Sequence, residues 1–368
     1  MRTTVAVVNS QGGDFSLEEV EIEGPRADEV LVKIVATGLC HTDIHLKGFL
    51  PEEMFPNVFG HEGAGIVEEV GQDVTGIEVG DHVVLSFRSC RSCEKCTAGL
   101  VGYCDSSLLL NYMGMRMDGS MPISRDGAPV FGNFFGQSSL ARHAIAYADN
   151  CVVVDRSIDL TKVAPYGCGF QTGAGTVLNV LQPGPEDSLV VYGVGAVGLA
   201  AIAAAKHTGT GTIVAVDPLP SRREVAEKYG AIGVDPMAED LPEGGVVAKV
   251  KELTGGLGAT YAIDTTAISA VVKQAQQSLR VRGTLVALGL GAEEYAIDAI
   301  DLLQTGKVIK ASIEGDSDPQ EMVPRLIALN ASGEFDVDDL IGTYPFSEIN
   351  TAVADVLAGK VVKPVLVW

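Results

Sequence analysis

Residues 188–198 read SLVVYGVGAVG, an apolar run that passes directly into a G-x-G-x-x-G turn at Gly193, Gly195 and Gly198. The residues that follow, AVGLAAIAAAKHTG, have the composition of a helix that stops at Gly209. A glycine fingerprint alone is weak; strand, turn and helix in this order make it specific. The glycines permit a tight turn, close approach of backbone to a pyrophosphate, and close helix–strand packing. The helix N-terminus adds free amides and a positive dipole. A next strand, GTIVAVD, ends in Asp217, 19 residues after Gly198. A carboxylate there accepts from both ribose hydroxyls of an adenosine and repels a 2′-phosphate, so NAD is favoured over NADP. Arg222 is near enough in sequence to serve the same adenosine and weakens that preference.

Outward from this turn the chain alternates strand and helix. SRREVAEKYG reads as a helix with Ser221 as N-cap and Gly230 at its end. ATYAIDTT reads as a strand, ISAVVKQAQQSLRVRG as a helix and GTLVALGL as a strand. Such alternation implies a parallel, doubly wound α/β sheet over residues 170–312. Before it, residues 1–169 are rich in short β-branched runs punctuated by glycine, such as EVLVKIVATG, GAGIVEEVG and GDHVVLSF. They predict a small, β-rich, partly open barrel. After it come a helix, EMVPRLIALNASG, and a strand, KPVLVW. Residues 313–368 are expected to fold back onto the first part.

Cys90, Cys93, Cys96 and Cys104 read C-x2-C-x2-C-x7-C. Four thiolates close a tetrahedral zinc site that stabilises its own loop and does no chemistry. An iron–sulfur cluster or a redox disulfide pair competes for the same residues, but nothing else in the chain points to electron transfer. A second set is more dispersed: Cys40 in GLCHTDIH, His61 in FGHEGAG and Cys168 in YGCGFQTG. Three ligands leave one zinc position open, as a catalytic zinc needs. Asp43 is a natural acceptor for the His61 imidazole, and Glu62 adjoins the ligand. From spacing alone, packed core cysteines and a packed histidine explain this set equally well. His82, His143 and His207 read as structural, and Cys151 as a buried hydrophobe.

The 368 residues carry a net charge of −22 and are 46% hydrophobic. That length suits about two domains. Strong negative charge disfavours nucleic acid and anionic membranes as partners. No export signal is evident at MRTTVAVVNS, and the apolar run 189–205 is broken by three glycines, so no membrane span is expected. Seven cysteines in a chain read as cytoplasmic suggest metal binding rather than disulfides.

Taken together, GLCHTD, GHEGAG, the four-cysteine loop, CGFQTGAG, GVGAVG and VAVD resemble the zinc-dependent medium-chain alcohol dehydrogenases over essentially the full length. The resemblance implies a GroES-like catalytic domain interrupted by a Rossmann domain, with the active site in the cleft between them. It implies two zinc ions per chain and NAD. Cys40, His61 and Cys168 match the catalytic ligands, and the four-cysteine loop matches the structural lobe. Thr42 matches the hydroxyl that bonds the substrate oxygen, and His45 matches the end of a proton relay. His41 and Lys363 match basic positions near the cofactor pyrophosphate. NFFGQSS, CGFQTGAG and EGDSDPQ look most like the benzyl (aryl) alcohol branch, which also takes allylic terpenoid alcohols.

The long segment between Cys104 and Gln137 resembles that of the family's long-loop members and favours a homodimer. Its Met113, Met115, Met117, Phe131, Phe134 and Phe135 either line an apolar pocket or form the core of the loop itself. Phe87 is a further candidate for a pocket wall. The alternative activity is thiol-dependent formaldehyde oxidation, which needs basic residues to hold an anionic adduct. Arg116 and Arg125 are the loop's candidates. A non-enzymatic protein on the same fold would not fill every ligand and relay position.

Overall fold

The computed structural model describes residues 1–368. At the heart of the second half, the strand Ser188–Tyr192 leads into Gly193, whose φ of +83° only glycine adopts freely. A Cβ at Gly193 would stand 2.4 Å from Thr265 Oγ1, and one at Gly198 would stand 2.2 Å from the Gly193 carbonyl oxygen. Both glycines are therefore demanded by packing, and the helix Ala196–His207 can start directly after the turn.

The sheet built on this strand runs Ile232–Val234, Thr212–Val216, Ser188–Tyr192, Ala259–Asp264, Leu279–Ala287, Val308–Ala311, and every pairing is parallel. Central strands are buried on both faces, which explains their unbroken apolar texture. The α/β, Rossmann-type architecture expected from the alternation is present.

Two local readings are corrected. Ser221 is not a cap: the helix is Pro220–Lys228, with Leu219 as N-cap and proline in the first turn. Proline's missing N–H is no loss there. The residues LRVRG do not continue a helix. Helix Ser269–Ser278 ends, and Leu279–Ala287 is all strand, because Leu279 already pairs with Ala259.

The first half forms two mostly antiparallel sheets. In the larger, Glu29–Gly38 pairs with Gly63–Val70, His143–Tyr147 and the C-terminal strand Lys363–Val367. The tail thus returns to the β-rich part, which is the GroES-like domain. By internal packing the chain divides into Met1–Cys168 with Asp318–Ala328 and Asp338–Trp368, and Gly169–Ser317 with Leu329–Val337. Residues 313–317 and 329–337, read from sequence as part of the first domain, cluster with the second. Glu314 accepts hydrogen bonds from Gln171 and Thr172, both at 3.1 Å. Tyr229 donates to the Asp336 carbonyl at 2.6 Å, and His207 pairs with Glu334. No helix is long and apolar enough to cross a membrane.

Candidate active site and metal centres

Cys40 lies two residues past the strand Glu29–Gly38 and is the N-cap of the helix His41–Phe49. Asp43, at the third position of that helix, is fully buried and ties three elements together. Its Oδ2 accepts from the Cys40 amide at 3.0 Å, and its Oδ1 accepts from the Gly60 amide at 3.0 Å. The same Oδ1 lies 2.8 Å from His61 Nδ1. That contact fixes the proton on Nδ1 and leaves the Nε2 lone pair for a metal. Nε2 is buried and has no hydrogen-bond partner.

A ring nitrogen of His61, the sulfurs of Cys40 and Cys168, and a carboxylate oxygen of Glu62 all lie within 4.8 Å of one another. The orphaned imidazole nitrogen and two converging sulfurs fit zinc with one position left open. The electrostatics of the Cys40 thiol agree. A hydrogen bond from Cys168 holds the Cys40 thiol well below the usual thiol range, against burial, with His61 and Lys363 assisting. Burial opposes charge on His61, but Asp43 and the Cys40 thiolate push it well above the ordinary imidazole value. Burial raises Glu62 to about 7, with Lys363 opposing.

The sulfurs of Cys90, Cys93, Cys96 and Cys104 also lie within 4.8 Å of one another. Cys90 Sγ accepts from the Cys93 amide at 3.3 Å, and Cys104 Sγ accepts from the Cys90 amide at 3.2 Å. Amide donors hold the Cys90 thiol down at about 6, foremost that of Ser92, while burial raises Cys96 to about 12. Four converging sulfurs, two of them bonded by backbone amides, fit a closed tetrathiolate site.

Residues 26–155 match the alcohol dehydrogenase GroES-like domain, and residues 196–331 match the zinc-binding dehydrogenase family. The chain belongs to the zinc-dependent medium-chain alcohol dehydrogenases. It is 41% identical to the geraniol dehydrogenase of Castellaniella defragrans, over 99% of this chain and 97% of that one. The crystal structure of benzyl alcohol dehydrogenase from Acinetobacter calcoaceticus superposes with a TM-score of 0.93 at 37% identity, covering 100% of this chain and 99% of that one. An S-(hydroxymethyl)glutathione dehydrogenase of Escherichia coli is 30% identical over the whole of both chains.

In this dehydrogenase the fingerprint turn has open space beside its backbone. Gly195 caps the helix Ala196–His207, and a Cβ built on it meets nothing within 4 Å, so the backbone faces open space. Asp217 ends the neighbouring strand and is 8% exposed. Its Oδ2 accepts from the Val194 amide at 2.8 Å and its Oδ1 from the Leu219 amide at 2.9 Å. The turn and the carboxylate are thus one hydrogen-bonded unit that fits a dinucleotide. Arg222 is buried, and burial lowers its guanidinium against the pull of Asp217.

Thr42 Oγ1 stands 3.6 Å from Cys40 Sγ. His45 is half-buried one turn later on the same helix, and His41 is exposed. Lys363, expected beside a pyrophosphate, meets a carboxylate in the protein itself. It is 2% exposed and its Nζ lies 2.6 Å from Glu62. Sequence reading missed Gln137. Its Nε2 donates to the carbonyls of His61 at 3.1 Å and Ser86 at 2.9 Å, and its Oε1 accepts from the Gly63 amide at 3.1 Å. The polar run Gln137-Ser138-Ser139 after FFG was the available signal.

The long loop resolves into separate roles. Phe134, Phe135 and Phe87 join the core cluster of the first unit, Met113, Met115 and Phe131 are half-buried, and Met117 is exposed. Arg116 is committed to Glu29 and Glu23 (2.6 and 2.7 Å), and Arg125 to Glu18 and Asn9.

Proposed function

We propose that this alcohol dehydrogenase uses NAD to oxidise primary alcohols, with aromatic and allylic ones preferred, and runs the reverse reduction. The supporting observation is the buried, unpartnered Nε2 of His61 beside Cys40 and Cys168. In this reading those three residues hold the catalytic zinc, and Cys90, Cys93, Cys96 and Cys104 hold a second, structural zinc. When bound, zinc supplies Lewis acidity that favours the alkoxide near neutral pH, and NAD accepts the hydride.

The protein's own residues do the remaining work. Asp43 keeps the His61 ring in one tautomer. Thr42, beside the Cys40 sulfur, would accept the hydrogen bond of the alcohol hydroxyl, taking the proton from its oxygen while passing its own hydroxyl proton on toward a cofactor ribose hydroxyl. His45, on the same helix, releases that proton to solvent. Gly193, Gly195 and Gly198 take the pyrophosphate, Asp217, with Arg222 next to it, takes the adenosine ribose, and His41 is a further cofactor-binding residue.

The preference for aromatic and allylic alcohols draws on the geraniol and benzyl alcohol relatives. The thiol-dependent alternative draws on the S-(hydroxymethyl)glutathione relative. It is disfavoured because Arg116 and Arg125, the loop cations it needs, are already paired with carboxylates. A homodimer in a reducing cytoplasm completes the reading: the edge strand Val308–Ala311 is largely exposed and no two cysteines are joined in a disulfide.

The deciding experiment follows NADH formation by zinc-loaded protein. Benzyl alcohol and geraniol are compared with formaldehyde plus a small thiol. Much higher kcat/KM for the apolar alcohols is expected. Turnover only with the thiol adduct would replace this reading with the alternative.

A further inference from the structure

The geometry points to Phe135 as a positioning residue that sets the plane of the His61 imidazole. Asp43 holds only one corner of that ring, at Nδ1. A single hydrogen bond leaves the ring free to tilt about the line of that bond. Phe135 removes this freedom. Its ring stacks on the imidazole with centroids 4.6 Å apart and planes 29° from parallel. Phe134 closes the edge, at 5.7 Å and 80°.

The backbone is bent specifically to deliver both rings. Neighbouring residues in extended chain point to opposite faces. Here Phe135 has a φ of +52°, a left-handed conformation that bulky side chains rarely adopt. The turn puts Phe134 and Phe135 into the same cluster, with centroids 4.8 Å apart. It is held from outside the cluster. Asn150 Nδ2 donates to the carbonyls of Phe135 at 3.0 Å and Gly136 at 3.1 Å, and Ser138 Oγ accepts from the Phe134 amide at 2.8 Å. Gln137, two residues on, grips the His61 carbonyl. The segment 133–138 therefore clamps His61 through both ring and backbone.

This inference rests on the reading of Cys40, His61 and Cys168 as a metal site. The test uses the full chain with Co2+ in place of zinc, and reads the visible d–d bands and the rate of metal loss to a chelator. Phe135→Leu keeps apolar bulk and removes the aromatic face. Phe135→Gly removes the ring while suiting the left-handed backbone, and serves should the leucine variant not fold. Phe135→Tyr restores the face. Phe59→Leu is the packing control, because Phe59 is fully buried in the same cluster and touches Phe134.

The leucine or glycine variant is expected to lose metal from this site about tenfold faster or more, with shifted d–d bands and lower kcat. Phe135→Tyr and Phe59→Leu should keep the parent bands and rate. Unchanged bands and metal loss in the ring-deleted variants overturn the inference, as does an equal change in Phe59→Leu. If the parent protein takes no Co2+ between Cys40, His61 and Cys168, the metal-site reading itself fails, and this inference with it.

Discussion

Lys363 Nζ lies 2.6 Å from Glu62, a residue 301 positions earlier, and the two residues are 2% and 0% exposed. A buried ion pair is costly to assemble and far costlier to break, since the remaining charge has no water to turn to. Glu62 is also close enough to Cys40, His61 and Cys168 to compete for the open metal position. Lys363 engages that carboxylate. Lys363→Met is expected to cost about 3–5 kcal/mol of unfolding free energy. The double variant Lys363→Met/Glu62→Gln should recover much of it. Denaturant unfolding of the parent, single and double variants measures this, and a double variant no more stable than the single one would refute the pairing.

Asp43 serves the site differently, by holding the Cys40 amide and His61 together. Asp43→Asn keeps the size of the side chain but replaces one acceptor oxygen with a donor. Metal affinity at this site is expected to fall by about 10–100-fold. Competition with a chromophoric chelator on the zinc-loaded protein reads the change, and metal taken up by the four-cysteine cluster would serve as an internal reference. Equal loss from both clusters would mean general unfolding instead.

The pair Glu29–Arg116 predicts an acid dependence. Burial pushes the Glu29 carboxyl up, but hydrogen bonds from Arg116 and the Arg26 amide outweigh it and hold the carboxyl below its ordinary value of 4.5. The folded state therefore keeps Glu29 ionised where the unfolded chain already binds a proton. Its contribution is complete above the unfolded value and is lost as pH falls through the folded one. Arg116→Met should lower Tm at neutral pH and flatten its fall below about pH 4.5. Thermal melts across that range give the slopes, and parallel slopes would remove Glu29 from acid unfolding.

The fingerprint turn, Asp217 and both cysteine clusters were legible in sequence because each is a short motif whose chemistry its own residues carry. Asp43 was legible for the same reason, three residues after Cys40. What sequence hid was reciprocal and long-range. Nothing near Lys363 says that it meets Glu62, and nothing near Arg116 says that Glu29 consumes it. The start of the strand Leu279–Ala287, the residues LRVRG, was hidden by neighbours with helical composition, and only the pairing of Leu279 with Ala259 decides it. Ser221 has the chemistry of a cap, but Pro220 starts the helix one residue earlier.

Asp217 makes the sharpest statement about the cofactor. Both of its carboxylate oxygens bond backbone amides of the turns on either side, so the group is pre-aimed before any ribose arrives. Asp217→Ser keeps one acceptor and removes the negative charge that repels a 2′-phosphate. Loss of charge-assisted bonds of about 1.5–3 kcal/mol corresponds to at least a tenfold fall in kcat/KM for NAD. NADP should gain relative to NAD, because Arg222 is then released from the pull of Asp217 and can face the phosphate. Steady-state rates with both cofactors at one fixed alcohol concentration give the ratio. An unchanged ratio would mean that discrimination lies in groups other than Asp217.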